Sequence, residues 1–230
     1  AAWQRRCRDL VNLPASEIHP ASLAQAARDL AHLPHVHVEV DDFETCRERG
    51  YVGIVAVGQG SARPGCLIRI SYRHPDASHT VALVGKGVTF DSGGLSLKPS
   101  DAMQTMRCDM GGAASVIATM GALAELQLPL HVEAFAPCVE NMVSGSSYKL
   151  GDILTYRNGV SVEIHNTDAE GRLILADALL LASEVPGVSR IVDLATLTGA
   201  VVIAVGPDFT GLFTADDPLA AELSAAAART

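Results

Sequence analysis

The stretch Asn166-Thr167-Asp168-Ala169-Glu170-Gly171-Arg172-Leu173 sets two carboxylates and a guanidinium at alternate positions. It follows a strand-like run, Val162-Glu163-Ile164, and opens onto a helix-like run from Leu173 to Ser183. In extended backbone, residues i and i+2 point the same way, so Asp168 and Glu170 can converge on one point. Two carboxylates held together repel and push one pKa up unless a cation sits between them. Hard oxygen donors suit Zn, Mn or Mg. Arg172 cannot be a ligand but can hold an anion bidentately beside such a metal. The competing reading is a solvated acidic turn at a helix N-terminus, where acids are favoured in any case.

A second group lies between residues 85 and 112: Gly85-Lys86-Gly87, Phe90-Asp91-Ser92-Gly93-Gly94, Lys98 and Asp109-Met110-Gly111-Gly112. Asp91 and Asp109 follow a strand end or precede a helix, and ligands of open α/β sheets gather outside the carboxyl ends of strands. Asp91, Asp109, Asp168 and Glu170 can therefore meet in one crevice. Four carboxylates without a Cys or His cluster fit a two-metal site better than a structural zinc. Other motifs fit less well. Gly85 and Gly87 suggest a dinucleotide fingerprint, but Phe90 stands where its third glycine belongs. The P-loop order fails because Gly, not Ser or Thr, follows Lys86. The histidines are scattered, with only His35 and His37 on one strand face. Taken alone, Lys98 beside Pro99 is a solvated loop lysine, Met103 and Met106 are core spacing, and 194–199 is a strand end.

The elements that must hold these groups alternate between strand and helix. Helices are expected over 1–12 and 21–33, a strand over Val36–Val40, and a short helix capped by Asp41-Asp42 and ending near Gly50. Ile54–Val57 reads as a short buried strand. Leu67–Arg73 and Thr80–Val84 read as strands joined across His74-Pro75-Asp76, and 85–109 as a long glycine-rich loop. A helix of small residues follows from Gly112 to Leu126, then a strand from Leu130 to Pro137 and a polar loop over 140–151. Ile153–Tyr156 and Ser161–Ile164 pair as a hairpin across Arg157-Asn158-Gly159. Beyond the helix Leu173–Ser183 come a buried strand Arg190–Leu194, a further strand Val201–Val205 and a terminal helix Pro218–Ala227. This order predicts an α/β fold, a three-layer α/β/α sandwich around a mixed, mostly parallel central sheet.

The 230 residues are 48% hydrophobic but only 4% aromatic, with a mean hydropathy of +0.23. That is enough to bury a sizeable core by close helix-on-sheet packing. A net charge of −9 disfavours nucleic acid and acidic membranes as partners. Cys7, Cys46, Cys66, Cys108 and Cys138 are odd in number and widely spaced, as expected of reduced thiols in a cytosolic protein. No apolar run reaches transmembrane length. Arg5, Arg6 and Arg8 without a following apolar core do not make a secretory signal. The chain opens on Ala1 rather than Met, which points to trimming.

Four segments together carry a resemblance: Gly85–Gly94 (GKGVTFDSGG), Asp109–Gly112 (DMGG), Asn166–Leu173 (NTDAEGRL) and Asp193–Gly199 (DLATLTG). In this order the chain resembles the leucyl aminopeptidase (cytosol aminopeptidase) family. Tyr148–Asp152 and Thr155–Gly159 lean toward its peptidase B-like members. The resemblance runs from about residue 5 to the end. It implies that 1–230 is a metallo-aminopeptidase catalytic domain lacking the family's N-terminal domain and the last part of the catalytic domain. It further implies two divalent ions, Zn or Mn with Mg also admissible. Asp91 and Glu170 would touch both, Asp168 the tightly held one, and Asp109 and the amine of Lys86 the exchangeable one. Lys98 would hydrogen-bond the developing oxyanion, and Arg172 would hold a bicarbonate acting as general base. Met106, Asn166, Thr196 and Gly199 would bind substrate. By the same resemblance a metal-bridging hydroxide removes an N-terminal, Leu-like residue from peptides, in a cytoplasmic homo-hexamer built as a dimer of trimers.

Three rivals are weighed against this. One is a binding or regulatory homologue that kept the fold without turnover. Another is a metal-dependent hydrolase of phosphate esters, which would want more basic residues near the site. The last is a truncated chain that binds metal poorly and is inactive alone.

Overall fold

The computed structural model describes residues 1–229; Thr230, the last residue of the expected domain, lies outside the described residues. Two compact units are present, Ala1–Leu197 and the segment from Thr198 onward. In the first, helices α1 (Ala2–Asn12) and α2 (Pro20–Arg28) precede strand β1 (Val36–Asp41). Helices α3 (Phe43–Glu48) and α4 (Val52–Gly58) lead to strands β2 (Cys66–Arg73), β3 (Thr80–Gly85) and β4 (Gly87–Asp91). A one-turn helix α5 (Ser100–Met103) and a 3-10 turn (Met106–Cys108) precede α6 (Gly111–Leu126) and β5 (His131–Asn141). The hairpin β6 (Ile153–Thr155) and β7 (Ser161–Glu163), helix α7 (Glu170–Ser183) and strand β8 (Val188–Leu194) complete the unit. The second unit holds α8 (Ala200–Val205) and α9 (Asp217–Ala227).

Local side-chain chemistry starts several of the helices. Pro20 opens α2 behind a reciprocal cap between His19 and Ser22. The Asp42 carboxylate accepts from the Thr45 amide at 2.8 Å and starts α3. Asp216 caps α9 in the same way. The β6–β7 hairpin turns through Gly159 at φ +84°, the left-handed geometry that Asn-Gly favours.

The central sheet runs β1-β2-β5-β3-β8, with β4 also paired to β5. It is mixed. β1–β2 and β2–β5 are antiparallel, while β3–β5, β3–β8 and β4–β5 are parallel. The expected parallel bias therefore fails on the β1–β2 side, where β2 runs against both neighbours. Although β2 and β3 are consecutive, β5 lies between them. Side chains alternate between two apolar clusters. Ile68, Ile70, Ala134, Ala136 and Cys138 face Leu23, Ile117 and Met120 of α2 and α6. Leu67, Val84, Phe135 and Val139 face Ile54, Leu173 and Ile174 of α4 and α7. Helices thus cover both faces of the sheet in the first unit.

Several expectations are corrected. Ile54–Val57 lies inside helix α4 rather than in a strand. A short, wholly apolar run carries no period to separate the two, and the Asp177 carboxylate, accepting from the Ile54 amide at 2.9 Å, anchors the first turn of α4. Val201–Val205 is likewise helical, as α8: Val202 and Ile203 bond back to the Gly199 carbonyl, and local bonding overrides β-branched preference. The stretch 85–109 is not one loop, because Val88-Thr89-Phe90 supplies strand-forming side chains and pairs with β5 as β4. β5 itself runs to Asn141, into the segment expected as loop. β8 is not buried: it is half-exposed at the sheet edge, with β3 its partner among the described residues.

Candidate metal centre

Strand ends and helix starts deliver the polar groups to one place in the first unit. Lys86 sits between β3 and β4, and Asp91 ends β4. Asp109 follows the 3-10 turn two residues before α6, while Asp168 precedes α7 and Glu170 begins it. Lys86, Asp91, Asp109 and Glu170 are each at most 3% exposed, a burial that ionisable side chains reach only when paired. Gly171 makes room for the lysine: a Cβ there would lie 2.6 Å from Lys86 Cε.

Two ammonium groups organise the acids. Lys86 Nζ lies 2.7 Å from Asp109 Oδ1 and 2.9 Å from Glu170 Oε1, and donates to the Thr196 carbonyl at 3.1 Å. Lys98 Nζ lies 3.0 Å from Asp91 Oδ2 and 2.7 Å from Asp168 Oδ1. Four carboxylates against two lysines leave an excess of negative charge in a largely buried site. Burial pushes Asp109 up to about 6 and Glu170 up to about 7 even with Lys86 opposing. Burial alone would neutralise Lys86, but Glu170 and Asp109 outweigh it and keep the amine protonated. Lys98 is raised in the same way by Asp168 and Asp91 against its own desolvation.

The donor set fits a cation. Asp91, Asp168 and Glu170 each present a carboxylate oxygen, all within 4.8 Å of one another. Asp109 Oδ2 and Glu170 Oε2 are buried with no hydrogen-bond partner. Orphaned, desolvated carboxylate oxygens are costly, and a divalent ion is the ligand that removes the cost. All-oxygen donors of this kind suit Mn, Mg or Zn.

The flanking turn is densely hydrogen-bonded. Thr167 Oγ1 donates to the Gly93 carbonyl at 2.7 Å and accepts from the Ser96 amide at 2.8 Å. The Thr167 carbonyl accepts from Tyr148 Oη at 2.7 Å. Asn166 Oδ1 accepts from the Asp168 amide at 2.8 Å. Arg172 is exposed in the first turn of α7 and pairs with no carboxylate among the described residues.

The structure brings Lys86, Asp91, Lys98, Asp109, Asp168 and Glu170 together, with Thr196 beside them, its hydroxyl donating to Asp109 Oδ1 at 2.8 Å. Met106 is half-buried in the turn whose carbonyl accepts from the Asp109 amide. Asn166 is exposed at the lip of the acidic turn. Gly199 belongs to the second unit, where it precedes α8. Sequence reasoning missed Asn141 and Tyr148, both buried and bonded into this site. Asn141 stands at the carboxyl end of a strand beside the crevice, the one signal that marks it.

An α/β layered fold with clustered carboxylates and lysines near strand ends defines the class as far as a candidate metal-binding protein. The comparisons make this specific. The catalytic-domain model of the cytosol aminopeptidase family matches residues 5–230. The chain is 50% identical over 218 residues to a probable cytosol aminopeptidase of Roseiflexus castenholzii, covering 94% of this chain and 44% of that one. It is 46% identical over 226 residues to peptidase B of Pectobacterium atrosepticum, covering 96% and 52%. Among solved structures, the bottromycin maturation enzyme BotP in complex with Mn aligns with a TM-score of 0.94 at 46% identity, covering 100% of this chain and 50% of that one. The cytosol aminopeptidase of Coxiella burnetii aligns at 0.92 and 40% identity, covering 98% and 49%. The chain belongs to the cytosol aminopeptidase family, in its catalytic domain. It spans about half the length of the curated relatives it matches.

Proposed function

We propose that this chain is the metal-binding part of an aminopeptidase that removes an N-terminal, Leu-like residue from peptides. The observation that carries the reading is the cluster of Lys86 with three buried carboxylates, Asp91, Asp109 and Glu170, and the half-buried Asp168, in which two carboxylate oxygens are orphaned. Lys86, Asp91, Asp109, Asp168 and Glu170 would hold two divalent ions, and the Mn complex of BotP favours Mn among the candidates. When bound, the ions supply a water of lowered pKa and polarise the scissile carbonyl, with bicarbonate as the base.

The side chains do the rest. Lys86 would hold an ion through a neutral amine, its proton passing to solvent, since its two carboxylate partners would then neutralise the ion instead. Lys98, freed from Asp91 and Asp168, directs its ammonium at the oxygen that gains charge in the transition state. Arg172, exposed and unpaired, holds the bicarbonate by its planar fork and so places a proton acceptor where the chain has no side-chain base. Met106, Asn166, Thr196 and Gly199 keep the substrate roles that the resemblance gives them. The same reading carries a cytoplasmic location and a homo-hexamer made of two trimers. No helix among the described residues is long and apolar enough to cross a membrane.

The test is release of p-nitroaniline from Leu-p-nitroanilide by the metal-depleted chain, then by the chain with Mn2+ or Zn2+ and bicarbonate. Metal-restored release is expected. Metal bound without release would favour a homologue that binds but does not turn over.

A further inference from the structure

Asn141 ends β5 opposite Asp91 in the β4–β5 ladder and is wholly buried. Its Nδ2 donates to Asp91 Oδ1 at 2.9 Å and to the Thr167 carbonyl at 3.0 Å. Its own carbonyl accepts from the Ser92 amide at 3.0 Å and from Ser92 Oγ at 2.7 Å. One side chain thus ties the end of β4 to the turn that carries Asp168. With both amide hydrogens aimed at oxygens, the orientation of the amide is settled. Its Oδ1 is left buried without a partner, a cost retained beside an acidic cluster.

Residue type matters here. Asp91 Oδ1 already accepts from the Gly93 amide at 2.8 Å, so Asn141 fills its second lone pair and leaves Oδ2 to face the cluster. An aspartate of the same shape would replace the donor by an acceptor and add a fifth carboxylate. The Thr167 carbonyl, shared with Tyr148 Oη, is held from two sides, so the peptide joining it to Asp168 has one position. Partners that orient ligands in this way govern metal affinity nearly as strongly as the ligands themselves.

We propose that Asn141 is a positioning residue that fixes Asp91 and Asp168 at the spacing a divalent ion requires. The inference rests on the metal-site reading above and adds to it a residue outside the expected ligand set. Its effect falls on metal affinity and kcat, and leaves KM unchanged, because the amide touches neither substrate nor reacting atoms.

Isothermal titration of the full chain with Mn2+ tests this, together with kcat and KM of the Mn2+-loaded protein. Asn141→Asp and Asn141→Ala should weaken Mn2+ binding about 10- to 100-fold, with KM within about twofold of the original. Tyr156→Phe is the control: it removes a buried hydrogen bond to the Leu173 carbonyl, outside the site, and should lower the melting temperature without moving Mn2+ affinity. Should the Asn141 variants not fold, Tyr148→Phe loosens the same carbonyl and should itself weaken Mn2+ binding several-fold. Mn2+ affinity unchanged in the folded Asn141 variants, or in Tyr148→Phe if those do not fold, overturns the positioning role while leaving the metal site standing. A wild-type chain that binds no Mn2+ overturns both.

Discussion

Glu170 is 1% exposed, lies 2.9 Å from Lys86 Nζ and keeps its other oxygen unpartnered. Glu170→Gln preserves shape while removing the charge that a metal ion needs, so hydrolysis of Leu-p-nitroanilide should fall below about 1% of wild type. Circular dichroism should stay unchanged, and full activity in that variant would refute the reading. Arg172→Ala should cost far less, about tenfold, and abolish the bicarbonate dependence of the rate. Asp177, buried and away from the cluster, gives a pH prediction. Burial raises it from 3.8 to about 7, with the Ile54 amide opposing. The folded chain therefore takes up a proton between about pH 7 and pH 4 that the unfolded chain does not. This group's contribution to stability grows as pH falls through that window and is lost as pH rises through about 7. In urea melts, the gap between wild type and Asp177→Asn should shift by on the order of 2–3 kcal/mol between pH 8 and pH 5. A pH-independent gap would contradict it. The acids of the site were legible from their spacing and their place near strand ends, whereas Lys86 and Lys98 entered through the resemblance, because a loop lysine alone reads as solvated. Asn141, Tyr148 and the Thr167 carbonyl were not legible, since an amide, a phenol and a backbone oxygen acquire meaning only from what folding places beside them.

At the scale of elements, α4 shows where sequence reading reaches its end. Val52-Gly53-Ile54-Val55-Ala56-Val57 has neither alternation nor a helical stripe, because nearly every side chain in it is at least half-buried. What makes it a helix is tertiary: Asp177 of α7 meets its first amides, and Gly53 lets α4 press against α7. A Cβ at Gly53 would stand 2.0 Å from the Leu173 carbonyl oxygen. Gly53→Ala should therefore cost about 2–3 kcal/mol in chemical denaturation, although alanine is the better helix former. Stability equal to wild type would mean that the two helices do not meet as described. The elements with their own local signals needed no such help. Asp42 before α3 and Asn158-Gly159 in the hairpin were readable, as were the helices that follow Asp109 and Glu170.

For the whole molecule, the two units differ in how much apolar surface they hide. In the second, Ile203, Phe209 and Phe213 are 90%, 74% and 85% exposed. Residues 206–216, between α8 and α9, have no regular secondary structure. Limited proteolysis followed by mass spectrometry should place the earliest cuts within 206–216, with the first unit persisting as a resistant core. Early cuts between β3 and β5 instead would be inconsistent with this division. The chain spans about half the length of the curated relatives it matches, and its own residues bear first on the proposed metal centre. Its most direct test is the number of Mn2+ ions bound per chain, counted by equilibrium dialysis against metal-depleted protein. Two ions are expected for wild type, with both lost in an Asp91→Asn, Glu170→Gln double variant that still folds. No bound Mn2+ in wild type, or binding undiminished in that variant, would contradict it.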